Sequence, residues 1–289
     1  MNGELEFARV AVAVLGTAVA TYYDLTRNRN VPDWLTFGMV GLGAIAVVAS
    51  KGIGASLVVA APAIVVLAAG YLLYREGQIG GADVLLFAAI ALLMPEAPGG
   101  IVVSRRYIIS LPFVFSLFLA SGILFGVVTF ARFVLPSLGA LHEGEVKVGA
   151  RQKVYLAFMG LVALVFVWFA LANRLPAASL VVVVMAMAFS AFFYLFRSFV
   201  ARRFLIREVG AGEMDEEDVL AIEEMDPAVV KKYGLKKLLT KKEIGRLEKL
   251  RLKRFPVYKN MPAFTPYILL ALLLSILFGD LVLLLFSLS

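Results

Sequence analysis

An all-α, polytopic membrane fold is what the sequence predicts, and three observations lead to it. Apolar residues make up 61% of the 289 and charged residues 17%, with a mean hydropathy of +0.90, against roughly 45 to 50% apolar content in soluble domains. The apolar residues gather into runs, most of them near the ~20 residues that a spanning helix needs. The runs lack the two-residue alternation of barrel strands, and hydrocarbon offers no partner to backbone groups, so helices that satisfy their own N–H and C=O groups are expected. About eight transmembrane helices are predicted, with a small helical cytoplasmic domain.

The first run covers about residues 7 to 26. Ala18-Val19-Ala20 imitates a signal-peptidase site, but Glu4 and Glu6 stand where a signal peptide carries Lys or Arg, so an uncleaved helix is expected. The second run, about 34 to 50, follows Pro32 with Asp33 as its N-cap, and the third covers about 54 to 74. The fourth, 80 to 95, is short and opens on Gly80-Gly81-Ala82-Asp83. Runs at about 107 to 131, 153 to 173 and 176 to 199 follow, and the last covers 262 to 286. The chain thus divides into residues 1–96 with the first four helices, 97–199 with three more, a charged domain at 200–260, and the last helix at 261–289.

Residues 197–260 hold 16 of the 28 Lys and Arg and 11 of the 21 Asp and Glu, with the signs segregated. "EMDEEDVLAIEEMD", 213–226, is purely acidic in its charges, while 231–259 is strongly basic. Thr240-Lys241-Lys242-Glu243 reads as a capping box opening a helix through about Leu252, with Leu247 and Leu250 on one face. The charge runs read as solvated faces plus juxtamembrane basic residues drawn to anionic lipid. The net charge of +7 concentrates at the borders of apolar runs, without the interleaved aromatics that stack bases, so no nucleic-acid partner is expected.

There are no cysteines, which excludes a disulfide framework, a Cys-ligated zinc site and a thiol nucleophile. The single histidine, His142, falls in a polar loop, so Ser-His catalysis and multi-His metal sites find little support. No metal and no cofactor are expected. Cytoplasmic loops collect Lys and Arg. With the N-terminus outside, Arg27, Arg29, Arg75, Arg132, Lys147, Arg151, Lys153 and the 197–260 segment face the cytoplasm, leaving Lys51, Arg105, Arg106, Arg174 and Arg9 towards the outside. Asp24 and Asp83 then both lie at cytoplasmic ends of their helices.

Most other carboxylates belong to loops or helix borders, and Asp280, near the outer end of the last run, reads as interfacial. Asp24 and Asp83 remain, and an ionisable group in a membrane helix costs at least ~2.5 kcal/mol, which makes each a functional candidate. Two carboxylates brought together cannot both ionise and share a proton. The ionised one then takes a proton from water while the protonated one donates to a carbonyl oxygen, as in aspartic proteases. Gly80, Gly81 and small Ala82 would leave room for a substrate backbone beside Asp83 and allow turns that other residues resist. Spacing alone leaves a second reading open, in which the glycines only start a helix and Asp83 caps it.

"GGAD", Gly80 to Asp83, resembles the Gly-x-Gly-Asp signature of intramembrane aspartic proteases in the form found in archaeal preflagellin and prepilin peptidases. "YYDLTRNRNVPDWL" resembles the segment around that family's first catalytic aspartate, two helices separate Asp24 from Asp83 as in the family, and "MPAFTPYILLALL" is similar to the start of its last helix. Two features depart from it: Ala82 stands at the third motif position, and Pro32 lies about one residue farther from Asp24. The Cys-rich domain of bacterial prepilin peptidases is absent, which favours the archaeal branch. The resemblance implies a multi-pass cell-membrane endopeptidase with Asp24 and Asp83 as catalytic residues and Gly80, Gly81 and Ala82 as substrate-binding residues. Its implied partners are the lipid bilayer and membrane-anchored pilin- or archaellin-like precursors, cut at the cytoplasmic membrane face. Glu76 or the 213–226 run would attract the basic leader of such a precursor. Two alternatives are a presenilin or signal-peptide-peptidase-like protease, disfavoured by the missing Pro-Ala-Leu near the last helix, and a transporter using the two aspartates as a coupled pair.

Overall fold

The protein is described by a computed structural model covering residues 2–26, 31–102, 111–174, 177–248 and 254–287. It is an all-α membrane protein with, among the described residues, six stretches long and apolar enough to cross a bilayer, plus two shorter apolar helices. The elements in the apolar part are α1 (Asn2–Thr26), α2 (Asp33–Arg75), α3 (Gly81–Leu93), α4 (Phe113–His142), α5 (Ala150–Ala172), α6 (Ala177–Val200), α9 (Thr265–Phe278) and α10 (Leu281–Ser287).

The expected second and third helices form one element, α2, which nevertheless folds back on itself. A side chain added to Gly43 would run into Leu92 of α3, and one added to Gly70 would run into Val84. In a straight helix, 27 residues separate those glycines by ~40 Å, whereas Val84 and Leu92 lie only ~12 Å apart along α3. Both ends of that interval therefore reach one short helix only if α2 has two arms, which carry the spanning stretches Asp33–Ser50 and Gly54–Arg75. Small residues at both contacts let the backbones approach closely, the usual way membrane helices pack.

Helix α3 is the centre of the bundle. From Val84 to Leu93 every residue but Leu85 is buried, as expected of a helix apolar on all sides. Its neighbours are α1, both arms of α2, α4 and α9, which share one continuous core with it. The C-terminal carbonyls of α3 are capped from α1: Arg9 Nε donates to Leu93 O at 2.8 Å and Nη2 to Leu92 O at 2.9 Å. A second cluster of aromatic residues, Phe133, Phe192 and Phe196 with Val200, joins α4 to α6. Helix α5 is the most exposed span and presents its apolar surface outwards.

Several boundaries differ from the hydropathy reading. Helix α4 starts after Pro112, six residues later than expected, because proline cannot donate to the helix and supplies a ready first turn; residues 103–110, with Arg105 and Arg106, lie outside the described residues, as do Arg27 and Arg29. At its other end α4 runs through Pro136 to His142, so His142 is the exposed last residue of a helix and not a loop residue. Asp33 is the first helical residue of α2, behind Pro32 at the N-cap, and makes no side-chain cap bond. The last apolar run is broken at Gly279, whose φ of 82 and ψ of −153 end α9. Asp280 is 1% exposed and its Oδ1 accepts the N–H groups of Val282 and Leu283, both at 3.0 Å, opening α10.

The charged region folds as a unit of its own. Helices α7 (Pro227–Tyr233) and α8 (Lys241–Leu247) are joined by a two-stranded antiparallel sheet, β1 (Arg207–Val209) with β2 (Phe255–Val257), in the register Arg207↔Val257 and Val209↔Phe255. The strands go beyond the purely helical domain expected. They form because Val209, Phe255 and Val257 close a small core with Met214, Leu220, Leu239 and Leu247, and three-residue strands give no periodic signal. The capping box is as expected: Thr240 Oγ1 accepts the Glu243 N–H at 3.4 Å, and Glu243 Oε2 accepts the Thr240 N–H at 3.1 Å. The expected continuation of this helix to Leu252 lies outside the described residues.

Candidate active site

Asp24 stands in the last turn of α1 and is 8% exposed. Its Oδ2 accepts the hydroxyl of Thr265 at 2.7 Å and the Thr265 backbone N–H at 3.3 Å. Thr265 is itself 1% exposed and is the first residue of α9, followed by Pro266. A buried carboxylate at a helix N-terminus meets an otherwise orphan N–H and the positive end of the helix dipole, two reasons for it to settle there. Three residues earlier on α1, the buried hydroxyl of Thr21 has no hydrogen-bond partner among the described residues and lies on the same helical face as Asp24.

Asp83 occupies the third position of α3, behind Gly80 at the N-cap. It is half-buried. Its carboxylate curls back over the helix start: a Cβ added to Gly80 would stand 3.0 Å from Asp83 Oδ2. Gly80 has φ −70 and ψ 146, an ordinary extended conformation, so it is not needed for a left-handed turn. That need falls at Gly77, with φ 67, in the connection just before the motif. Gly81 lies under the Tyr74 ring, where an added Cβ would be 3.3 Å from Cε2, and Ala82 packs against the bundle core.

The two aspartates are at the same end of the bundle. Arg9 places the early part of α1 beside the C-terminus of α3, so the helices run antiparallel. From that level Asp24 is ~22 Å along α1 and Asp83 is ~15 Å along α3. The start of α9 connects them: Thr265 holds Asp24, while the ring of Phe264 lies 6.2 Å from that of Phe87, one turn after Asp83. Phe264 also meets Phe125 of α4, with ring centroids 5.4 Å apart, so three helices grip the α9 start. At 13 residues α3 is ~20 Å long, short of the ~30 Å hydrocarbon layer. Asp280 belongs to the opposite end, since Ile101 and Val102, just beyond α3, donate to Ile276 and Leu277 at 3.1 and 2.8 Å.

The acidic run is largely committed to partners within the chain. Asp215 and Asp218 accept from Lys259, Glu216 pairs with Lys241, Glu224 with Arg202, Glu223 takes the Tyr258 hydroxyl, Asp226 caps α7, and Glu217 takes the Tyr74 hydroxyl. Burial works against the charge of Lys259, but Asp218 and Asp215 outweigh it and hold the ammonium above its ordinary range. Burial and the Glu223 carboxylate both push the Tyr258 hydroxyl up. For Glu243 burial is outweighed by the Thr240 donors and Lys236, which hold it below the usual carboxylate range.

Sequence reasoning identified both aspartates and the glycines but not Thr265, Tyr74 or the Arg9 cap. The signal for Thr265 was Thr-Pro opening an apolar run, a common helix start; nothing local links it to a residue 241 positions away. No curated protein and no solved structure matches the chain. One family model does match, over residues 11–131, a span that takes in the α9-held Asp24, the two arms of α2 and the Gly80–Asp83 turn. That model is the type IV leader peptidase family, and its match to the chain ends at residue 131.

Proposed function

We propose that the protein is an aspartic endopeptidase that removes class III signal peptides from archaellin- or type IV pilin-like precursors at the cytoplasmic membrane face, with Asp24 and Asp83 as its catalytic pair. The supporting observation is a carboxylate, Asp24, kept in an apolar bundle and served by two donors of α9, at the bundle end where Asp83 opens the short central helix. A stabilising role would be met as well by an apolar side chain, at far lower desolvation cost. A precursor with a basic leader and an apolar helix fits that end: the helix enters the bilayer, the leader stays in water, and the scissile bond falls at the level of the aspartates.

In the reaction the pair carries one proton. The ionised carboxylate removes a proton from a water molecule as its oxygen attacks the scissile carbonyl carbon, and the protonated carboxyl donates to the carbonyl oxygen. Collapse of the tetrahedral intermediate breaks the C–N bond, with a proton passing to the leaving amine. The chain's residues supply both protons and position, so no metal is required. The test is cleavage of a pilin-like precursor by detergent-solubilised protein. Asp24→Asn and Asp83→Asn should each abolish the shortened product while inserting and purifying normally, because the amide keeps the shape but cannot share the proton. Substantial cleavage by either variant refutes the pair.

A further inference from the structure

The charged unit meets the bundle at the turn that carries the aspartate motif. Tyr74, in the last turn of α2, lies against Gly81, and its hydroxyl donates to Glu217 Oε1 at 2.8 Å. Three residues on, Gly77 in its left-handed conformation lies under Val219, whose Cγ1 would be 3.1 Å from an added Cβ. Residues 217–219 are fixed in turn by their own unit: the Glu217 N–H donates to Leu239 O, the Leu239 N–H to Asp218 O and the Tyr258 N–H to Val219 O, each at 2.9 Å. Of the four consecutive acids from Asp215 to Asp218, three take lysines of the unit, while Glu217 turns to the bundle. It does so with φ 73, a conformation rarely adopted by a side chain of its size and kept only where the surroundings impose it.

We propose that Glu217 is a positioning residue for Asp83, and that the charged unit is a splint holding the Gly80–Asp83 turn from outside the membrane. The inference rests on the peptidase reading above. The direction of the first turn of α3 sets where the Asp83 carboxylate points, and that turn is bounded by the 76–80 connection and the Tyr74 ring, the two features that residues 217 and 219 touch. A reacting group displaced by about 1 Å can lose two orders of magnitude in rate, so a latch two residues from the aspartate acts on turnover.

The test compares Glu217→Gly, Glu217→Gln, Tyr74→Phe, the Tyr74→Phe/Glu217→Gly double variant and Asp83→Asn. The substrate is a synthetic precursor with a lysine-containing leader and an apolar helix. Glycine accepts the left-handed φ without strain, so Glu217→Gly should melt no lower than the parent chain. Its kcat should fall roughly three- to tenfold with KM unchanged within about twofold, the scale of one hydrogen bond. Tyr74→Phe should match it, the double variant should be no worse than either, and Glu217→Gln, which keeps an acceptor, should recover most of the rate. Full turnover in Glu217→Gly or Tyr74→Phe overturns the latch. So does a loss carried in KM that grows with leader lysines and is shared by Glu217→Gln, since Glu217 would then bind the leader directly. If Asp83→Asn stays active the peptidase reading fails; if it is inactive while Glu217→Gly is not, only the splint fails.

Discussion

Replacing Thr265 by Val removes one hydroxyl from the site and little else. Valine keeps the branched shape of threonine, so no cavity opens around a residue that is 1% exposed. What is lost is the 2.7 Å bond to Asp24 Oδ2, leaving the backbone N–H at 3.3 Å as the remaining α9 donor. A hydrogen bond to a charged group contributes about 1.5 to 3 kcal/mol. If that energy holds the carboxylate in its working orientation, kcat should fall roughly ten- to hundredfold, at about 1.4 kcal/mol per decade. KM should stay close to that of the parent chain, because Thr265 is buried behind Asp24 and is not placed to touch substrate. Thr265→Ser, which keeps the hydroxyl, should recover turnover to within about threefold, while Thr265→Ala should behave like Val with an added stability cost. Precursor cleavage kinetics in detergent, with a melting curve for each variant, measure both quantities. Parent-level kcat in a folded Thr265→Val protein would refute the assignment, and so would a folded Thr265→Ser protein as slow as the Val variant.

Gly80→Ala should lower turnover severalfold at a stability cost of at most about 1 kcal/mol, because the added methyl falls 3.0 Å from Asp83 Oδ2 and must displace it; parent-level cleavage would remove Gly80 from the site. Gly81→Val should lose most activity by driving the Tyr74 ring away, whereas Ala82→Gly should remain active, both read by the same cleavage assay. Arg9→Met should lower the melting temperature by several degrees, since two α3 carbonyls lose a charged cap worth about 1.5 to 3 kcal/mol, with turnover per folded molecule unchanged. The charged unit should be most stable near neutrality. Glu243 is held below the usual carboxylate range, so its contribution is present above that range and lost as pH falls through the lowered value. Lys259 is held above the usual lysine range, so its contribution is complete below that range and lost as pH rises through the raised value. Amide exchange around residues 215–218 and 240–244 should show both limbs, and Glu243→Gln and Lys259→Met should each remove its own.

The two aspartates were readable because a charge in an apolar run is costly wherever the run ends up, so it stands out before any contact is known. The same is true of the helices as segments, since the length of an apolar run is set by the bilayer and not by neighbours. What sequence could not provide is where those segments turn and what they touch. The 34–50 and 54–74 runs were seen as two helices, but that they are arms of one element folded around α3 follows only from Gly43 and Gly70 meeting the same short helix. The break at Gly279 looked like one more small residue in an apolar stretch, although its left-handed φ ends α9 and buries Asp280 at the start of α10. The β1–β2 pair joins segments 45 residues apart through three-residue strands, too short for alternation and with no hairpin turn between them. Thr265 and Glu217 show the same limit at the site itself. Thr265 donates twice to Asp24 and Glu217 accepts once from Tyr74, each across a long stretch of chain, and neither has a neighbour in sequence that says so. The family match covers residues 11–131, while the contacts at this end of the bundle also come from α9 and the charged unit, which that match does not reach. Relatives sharing the aspartate turn can differ in what holds it, and variation at Thr265 or Glu217 would be expected to change rate before it changes the reaction.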